Sequence, residues 1–370
     1  MKKTAKTKPS EASPALDDLR RRIDALDGDL VRLLNDRTKI ALQIGEVKRK
    51  SGGEVYVPAR EKAVLDRVTR LNSGPLPAES VQSVYREIMS AALALEHPIR
   101  VAYLGPEATF THQAARRRFG SSVSYVSCET ITDVFTAVQK QVADYGVVPV
   151  ENSTDGAVTH TLDQLSESPL RICAEIYLPI AQHLMSKGTR AQLRKIFSKP
   201  EVYGQCRRWL QANLPGVELL PASSTARAAE MAADDASVGA IASALAAELY
   251  GLRVQADNIQ DLGGNTTRFL VIGKRSGPRT GEDKTSINFT IKDKVGALHD
   301  VLAALKKNRV NMSKIESRPS KAKAWEYVFF VDLDGHQDDP PVQRVLAAMG
   351  RLCTRLNVMG AYPKAFGRDT

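Results

Sequence analysis

Residues 16–48 read LDDLRRRIDALDGDLVRLLNDRTKIALQIGEVK, and they decide the architecture of the chain up to residue 97. No proline occurs from Leu16 to Lys50, and glycine occurs only at Gly28 and Gly45. Apolar side chains fall at Leu19, Ile23, Leu26, Leu30, Leu33, Leu34, Ile40, Ile44 and Val47, which is helical spacing. The pattern predicts a single helix of roughly 35 residues, about three times the usual length. One apolar stripe on so long a helix needs partners along its whole length. SGGEVYVP (51–58) ends it, and Pro58 opens a second helix, because the missing N–H of proline costs nothing at the first helical position. That helix runs to about Leu71. NSGPLPAES (72–80) is a turn cluster, and a third helix follows from Ala78 to Glu96 with Val81, Val84, Tyr85, Ile88, Ala92 and Leu95 inward. Three helices of this size enclose a thin core, so dimerisation is expected.

Outward from these helices the period changes. RVAYLG (100–105), DYGVVPVENS (144–153), LRICAEIYLPI (170–180), ASVGAIAS (236–243) and TRFLVIG (267–273) read as strands, with helical stretches between them. This alternation predicts an α/β domain over residues 99–275. RSGPRTGEDK (275–284) is a linker. Residues 285–363 then give strand TSINFTIK, helix ALHDVLAALKKN, strand VNMSKIESRP, strand AWEYVFFVDLDG, helix PPVQRVLAAMGRLC and strand LNVMGAYP, the βαββαβ order of a ferredoxin-like domain. Before Leu16, residues 1–15 are poor in apolar side chains and read as a disordered tail.

Composition narrows the function classes. The chain has 370 residues, 43% apolar and 25% charged, as in ordinary globular proteins, and its formal net charge is +10. No apolar run is long enough for a membrane span, and no apolar core follows the basic N-terminus as it would in a secretory signal. The basic residues form no stripe interleaved with aromatics, so a nucleic-acid partner is not expected. The positive balance suits small anionic substrates instead. Cys128, Cys173, Cys206 and Cys353 are too sparse for a disulfide framework and read as reduced thiols of a cytoplasmic protein. His112, His160 and His183 lack metal-ligand spacing, and no G-x-G-x-x-G occurs, so neither a metal nor a dinucleotide cofactor is expected.

Arg37 and Lys48 are 11 residues apart. On a helix both project from one face, about 16 Å apart along the axis. Arg20 lies roughly 100° around from Arg37, so it suits a pocket in a partner chain better than one in its own. LDDLRRRIDALDGDLVRLLNDRTKIALQIGEVK, VPAREKAVLDRV (57–68) and REIMSAALALE (86–96) together resemble the all-helical class of chorismate mutase over residues 16–97. The resemblance implies an intertwined dimer in which Arg20 of the partner and Arg37 grip carboxylates, Lys48 donates to the ether oxygen of chorismate, and Arg60 and Glu61 open the second helix, Glu61 accepting from the substrate hydroxyl. Where the best-known bacterial pattern has Ser and Gln four residues apart on the third helix, this chain has Ala92 and Glu96. A carboxyl at Glu96 can replace the Gln as donor only when protonated.

YLGPEATFTHQAA (103–115), GVVPVENSTDGAV (146–158), SKPEVYGQC (198–206) and GGNTTRFLVIG (263–273) resemble prephenate dehydratase over most of residues 99–275. The resemblance implies two α/β lobes with the site in the cleft between them. It makes Thr267 either the proton donor to the leaving hydroxyl or an orienting group. It also gathers Glu151, Asn152 and Ser153 in one polar cluster, Ser198 and Gln205 in a second loop, and Thr225 in a third. Arg268 either binds substrate or braces the cleft, and Glu151 is as readily a brace as a catalytic group. In the last domain GALH (296–299) and ESRP (316–319) resemble the regulatory ACT domain of this dehydratase family. They imply a phenylalanine site built from Gly296, Ala297, Leu298 and His299 with Glu316, Ser317, Arg318 and Pro319, across a dimer interface, and with Asn311 as a weaker participant.

Together these segments point to a bifunctional chorismate mutase–prephenate dehydratase with a regulatory domain. Its substrates would be chorismate and prephenate, its effector phenylalanine, and its assembly a homodimer or larger. Two other readings stay open from sequence alone: a dehydratase with an inactive mutase segment, and a metabolite-binding regulatory protein without turnover.

Overall fold

The computed structural model describes residues 14–51, 57–320 and 326–365. Three helices come first, α1 (Pro14–Ser51), α2 (Pro58–Leu71) and α3 (Ala78–Glu96). Residues 14 and 15, expected in the tail, belong to α1; the rest of the expected tail lies outside the described residues. Ion pairs one turn apart, such as Arg32 with Asp29 at 3.0 Å and Lys39 with Asp36 at 3.1 Å, line the polar side of α1. Along its apolar stripe Leu19, Ile23, Leu26, Leu30 and Leu33 are each more than half exposed among the described residues. Val84 and Leu95 of α3, expected inward, are likewise exposed, whereas Ser90 and Ala92 are buried. Ser90 meets the backbone of the next domain, accepting from Ser122 N at 3.1 Å, while Ala92 lies among the helices.

That domain has two lobes. The first contains β1 (Arg100–Leu104), α4 (Phe110–Phe119), β2 (Ser124–Cys128), α5 (Ile131–Gln139), β3 (Tyr145–Asn152), the short β4 (Gly156–Ala157), α6 (Thr159–Glu167) and β5 (Arg171–Pro179). The second contains β6 (His183–Ser186), β7 (Lys195–Ser198), α7 (Pro200–Gln205), α8 (Arg207–Asn213), β8 (Glu218–Pro221), α9 (Thr225–Ala232), β9 (Val238–Ala242), α10 (Ala244–Tyr250) and β10 (Arg253–Ala256). The chain then returns to the first lobe as β11 (Thr266–Gly273), giving sheet orders β2-β1-β3-β11-β5 and β10-β6-β9-β7-β8. Runs without polar interruption, such as VGAIA in β9, are buried on both faces by flanking helices. The chain passes between the lobes twice, after β5 and before β11. These crossings are tied together: Ile180 N donates to Asn265 O at 2.8 Å, and Ile259 N to Gln182 O at 2.8 Å. A cleft opens at this double crossing.

The last domain is β12 (Asp283–Ile291), α11 (Ala297–Asn308), β13 (Met312–Pro319), β14 (Tyr327–Asp334), α12 (Pro340–Leu352) and β15 (Cys353–Pro363), with sheet order β13-β14-β12-β15. The two helices cover one face over Ile287, Phe289, Val301, Val331, Val345 and Met349. The other face lies against the first lobe, where Arg171 donates to the Val358 carbonyl.

Candidate active sites

A cavity of about 200 Å³ lies among α1, α2, α3 and the end of α4. Helical spacing brings Arg37 and Lys48 of α1 to one wall. Arg60 and Glu61 come from the first turn of α2, and Ala92 and Glu96 from α3. Arg20 lies outside it, exposed and 3.4 Å from Asp17, as its angular offset on α1 requires. Two cations that the spacing argument missed complete the wall: Arg86 of α3 and Arg118 of α4. Glu61 is buried, with Oε2 3.1 Å from Nη2 of Arg118. Burial holds the Arg86 guanidinium below the ordinary arginine range, against the charge of Glu61 and together with that of Arg118. Glu96 Oε1 is buried without a hydrogen-bond partner among the described residues. Its side chain lies against α1 where a Cβ on Gly45 would overlap it, so glycine is needed there for the helices to meet. Five cations face two carboxylates in this space, an excess that suits a small dianion.

The cleft at the double crossing holds a second cavity, of about 530 Å³. Ser153, Thr154, Ile180 and Asn265 line it from the first lobe, and Gln205, Arg207 and Arg208 from the second. Thr267 and Asn152 lie directly behind Asn265. Antiparallel pairing of β3 with β11 sets Thr267 opposite Asn152, and Asn152 Nδ2 donates to both Thr267 Oγ1 and Asn265 Oδ1 at 2.8 Å. Asn152 Oδ1 in turn accepts from the Thr154 and Asp155 amides, which fixes the side-chain amide. Ser153 Oγ accepts from Thr266 N at 3.0 Å, and Gln205 Oε1 from Gln182 Nε2 at 3.3 Å.

The next pair along the same ladder points the other way. Arg268 stands opposite Glu151, and strand alternation carries both toward the last domain. Arg268 is buried and fully engaged: Nε donates to Glu175 at 3.0 Å, Nη1 to Asp332 at 2.6 Å and Nη2 to Tyr362 at 2.9 Å. Lys284 Nζ reaches Glu175 at 2.9 Å, and Ser286 Oγ donates to Asp332 at 2.5 Å. Burial pushes the Asp332 carboxyl up, but the Arg268 charge and the Ser286 hydrogen bond outweigh it and hold the group below its ordinary range. Glu151 pairs with Lys314 of β13 at 2.7 Å. Neither Glu151 nor Arg268 lines the cleft cavity, and each is ion-paired to the last domain, Glu151 with Lys314 and Arg268 with Asp332. Ser198 and Thr225 also fall outside its lining. Ser198 is buried, and its hydroxyl donates to the Ile241 carbonyl at 2.8 Å; Thr225 is buried as the first residue of α9.

In the last domain, Gly296 (φ 76°) precedes α11, and Gly296, Ala297, Leu298 and His299 line a cavity of about 810 Å³. A first helical turn of this kind presents unpaired backbone N–H groups. Arg318 and Pro319 line an adjoining cavity of about 350 Å³ that shares Glu326 and Thr354 with the first. Arg318 Nη1 lies 3.4 Å from Asp163 of α6. Glu316 and Ser317 lie on edge strand β13 outside both linings. Asn311 is remote from them: it donates to Asp334 at 2.9 Å, at the far end of β14 from Tyr327.

Comparison with known proteins matches three family models in chain order: chorismate mutase type II over residues 19–97, prephenate dehydratase over 101–277 and the ACT domain over 285–351. A bifunctional chorismate mutase/prephenate dehydratase of Aquifex aeolicus is 49% identical over 355 residues, 95% of this chain and 98% of that protein. The chain belongs to the bifunctional chorismate mutase/prephenate dehydratase family. A second bifunctional relative, from Neisseria gonorrhoeae, is 45% identical over 94% of this chain and 96% of that protein. The crystal structure of a prephenate dehydratase from Arthrobacter aurescens, solved in complex with L-Phe, is 33% identical with a TM-score of 0.66, covering 72% of this chain and 90% of that one.

Within the architecture of this family, the cavity among the helices falls in the mutase segment, the interlobe cleft in the dehydratase segment and the GALH cavity in the ACT segment. Sequence reasoning missed Arg86, Arg118, Arg207 and Arg208. Arg86 carried a legible signal, since Arg86, Met89, Leu93 and Glu96 share one helix face. Arg207 and Arg208 directly follow the Gln205–Cys206 pair. Arg118 carried none, because it belongs to another domain. Among the described residues no helix is long and apolar enough to cross a membrane, and no group of three or more His, Cys, Asp or Glu side chains could hold a metal.

Proposed function

We propose that the chain rearranges chorismate to prephenate in the helical cavity, then dehydrates and decarboxylates prephenate to phenylpyruvate in the interlobe cleft. The convergence of Arg37, Lys48, Arg60, Glu61 and Glu96 on one small cavity carries this reading. The first reaction is pericyclic, with no nucleophile and no intermediate to protonate. It requires a compact conformer of a dianion and stabilisation of charge developing on the breaking ether. Arg37 and Arg20 of a partner subunit hold the two carboxylates, Lys48 and protonated Glu96 donate to the ether oxygen, Arg60 supports the anion, and Glu61 accepts from the ring hydroxyl. Ala92 leaves room beside Glu96.

In the cleft, loss of carboxylate and hydroxide from opposite ring positions yields an aromatic ring, so the driving force is internal to the substrate. The protein needs only to assist the departing hydroxyl and to hold the side-chain carboxylate. Thr267, oriented by Asn152, serves the hydroxyl. Ser153, Gln205 and the neighbouring arginines serve the carboxylate. A hydroxyl is a weak acid, and the fixed amide of Asn152 favours orientation over full proton transfer as the role of Thr267.

Phenylalanine binds at the first turn of α11 together with the ESRP strand and inhibits the dehydratase. The Arg268–Asp332, Glu151–Lys314 and Arg318–Asp163 contacts support this, because they tie the ACT sheet directly to the lobe that carries Thr267. The exposed stripe on α1 supports a homodimer, and four free cysteines support a reducing, cytoplasmic setting. Incubating the purified chain with chorismate, and following prephenate and then phenylpyruvate, tests the scheme. Sequential appearance of both is expected; consumption of prephenate alone would leave the mutase inactive, and no turnover of either would leave a binding protein.

A further inference from the structure

The mutase cavity is closed on one side by the dehydratase domain. Arg118 and Phe119 end α4, the first helix of the dehydratase lobe, yet both line the mutase cavity. Arg118 forms an ion pair with buried Glu61 at 3.1 Å, the two side chains only 15% and 9% exposed. This placement is built into the joint between the domains. Glu87 Oε2 accepts from the amide and hydroxyl of Ser121 at 3.0 and 2.6 Å, and Ser90 Oγ accepts from Ser122 N at 3.1 Å. Gly120 sits at φ 76°, and a Cβ there would overlap Ser90, so both conformation and space demand glycine. The turn that follows Arg118 is thereby clamped to α3, the helix that also supplies Ala92 and Glu96 to the cavity.

We infer that Arg118 is a positioning residue of the mutase site, supplied by the dehydratase domain, which fixes the Glu61 carboxylate for the substrate hydroxyl. The inference rests on the role proposed above for Glu61. A carboxylate beside Arg60, Arg86 and Lys48 has several cations to choose among. A charge-assisted bond from one clamped guanidinium selects a single rotamer before substrate arrives. Arg118 also belongs to the cationic excess that a dianion meets. The first reaction of the chain is thus carried out at a site that one domain alone does not complete.

The test is a double-mutant cycle in the full-length protein, reading mutase and dehydratase kinetics separately, with Arg118→Met and Arg118→Lys each made in the wild-type and Glu61→Gln backgrounds. Arg118→Met is expected to lower mutase kcat/KM about tenfold or more, mainly through kcat, as residues acting as a unit do. Arg118→Lys should recover part of the loss, and dehydratase turnover of added prephenate should be unchanged. In the Glu61→Gln background the same Arg118→Met change should cost less than about threefold, because coupled residues are not additive. An equal loss in both backgrounds, a mutase kcat/KM within about twofold of wild type, or a parallel loss of dehydratase turnover would each overturn the inference. Absence of chorismate turnover in the wild type would instead overturn the reading of the site itself.

Discussion

At the scale of single residues, Glu96 and Asp332 show two opposite uses of a carboxyl. Glu96 lines the mutase cavity with one oxygen unpaired among the described residues, and a carboxyl donates to a substrate oxygen only while it carries a proton. Glu96→Gln, which keeps a donor at this position, is expected to retain mutase kcat/KM, whereas Glu96→Ala should lower it about tenfold or more. A Glu96→Gln variant as impaired as Glu96→Ala would contradict the assignment. Asp332 is held ionised by Arg268 and Ser286 in a buried network. Its carboxyl sits below its ordinary value of 3.8, so the stability it contributes is present above that pH and is lost as pH falls through the depressed value. Asp332→Asn should cost about 3–5 kcal/mol near neutral pH, the effect of leaving a buried partner charge unpaired. Denaturant titrations should show the gap from wild type closing in acid; a gap that persists unchanged would contradict this account. The sequence made Glu96 legible through its spacing from Ala92. It did not show where Arg268 points, because strand alternation next to Thr267 fixes opposite faces without saying what covers each one.

At the scale of elements, α1 is the helix that leaves a long apolar stripe exposed. Pro58, the glycine-rich break before it and the turn cluster after Leu71 set the limits of the three helices, and the structure places them within a residue or two of those signals. Which faces pack was less legible. Val84 and Leu95 follow helical apolar spacing but stay exposed, while α3 buries Ser90 against the turn of the next domain and Ala92 among the helices. The exposed stripe of Leu19, Ile23, Leu26, Leu30 and Leu33 is what supports the proposed homodimer. Leu26→Lys is expected to yield monomers by sedimentation and to reduce mutase kcat/KM about a hundredfold, by withdrawing the partner's Arg20 from the cavity. Dehydratase turnover should remain, because the interlobe cleft is made within one chain. A Leu26→Lys variant that stays dimeric with full mutase activity would remove α1 from the interface. The βαββαβ order of the last domain was legible element by element, but the split of GALH from Arg318 and Pro319 between adjoining cavities was not. That division depends on where β13 lies relative to α11, a tertiary relation that local pattern does not encode.

At the scale of the whole molecule, the three segments all pack on one another, α2 meeting β15 of the last domain as well, and two of the joints touch a site. The joint between α3 and the α4–β2 turn closes the mutase cavity, and the ladder of β3 with β11 carries Thr267 on one face and the braces to the ACT sheet on the other. Phenylalanine binding should accordingly slow prephenate turnover in wild type, and the inhibition should weaken in Lys314→Met, which removes the brace to Glu151, without loss of phenylalanine binding by calorimetry. Unaltered inhibition in that variant would place the coupling elsewhere. The central claim is that one chain holds two separate anion sites, used in succession. Product analysis from chorismate in the full-length protein tests it most directly, comparing wild type with Lys48→Ala and Thr267→Val. Wild type should produce phenylpyruvate. Lys48→Ala should leave chorismate unconsumed yet convert added prephenate normally, and Thr267→Val should accumulate prephenate. If either variant loses both conversions, or if neither loses one, the two sites are not the ones described.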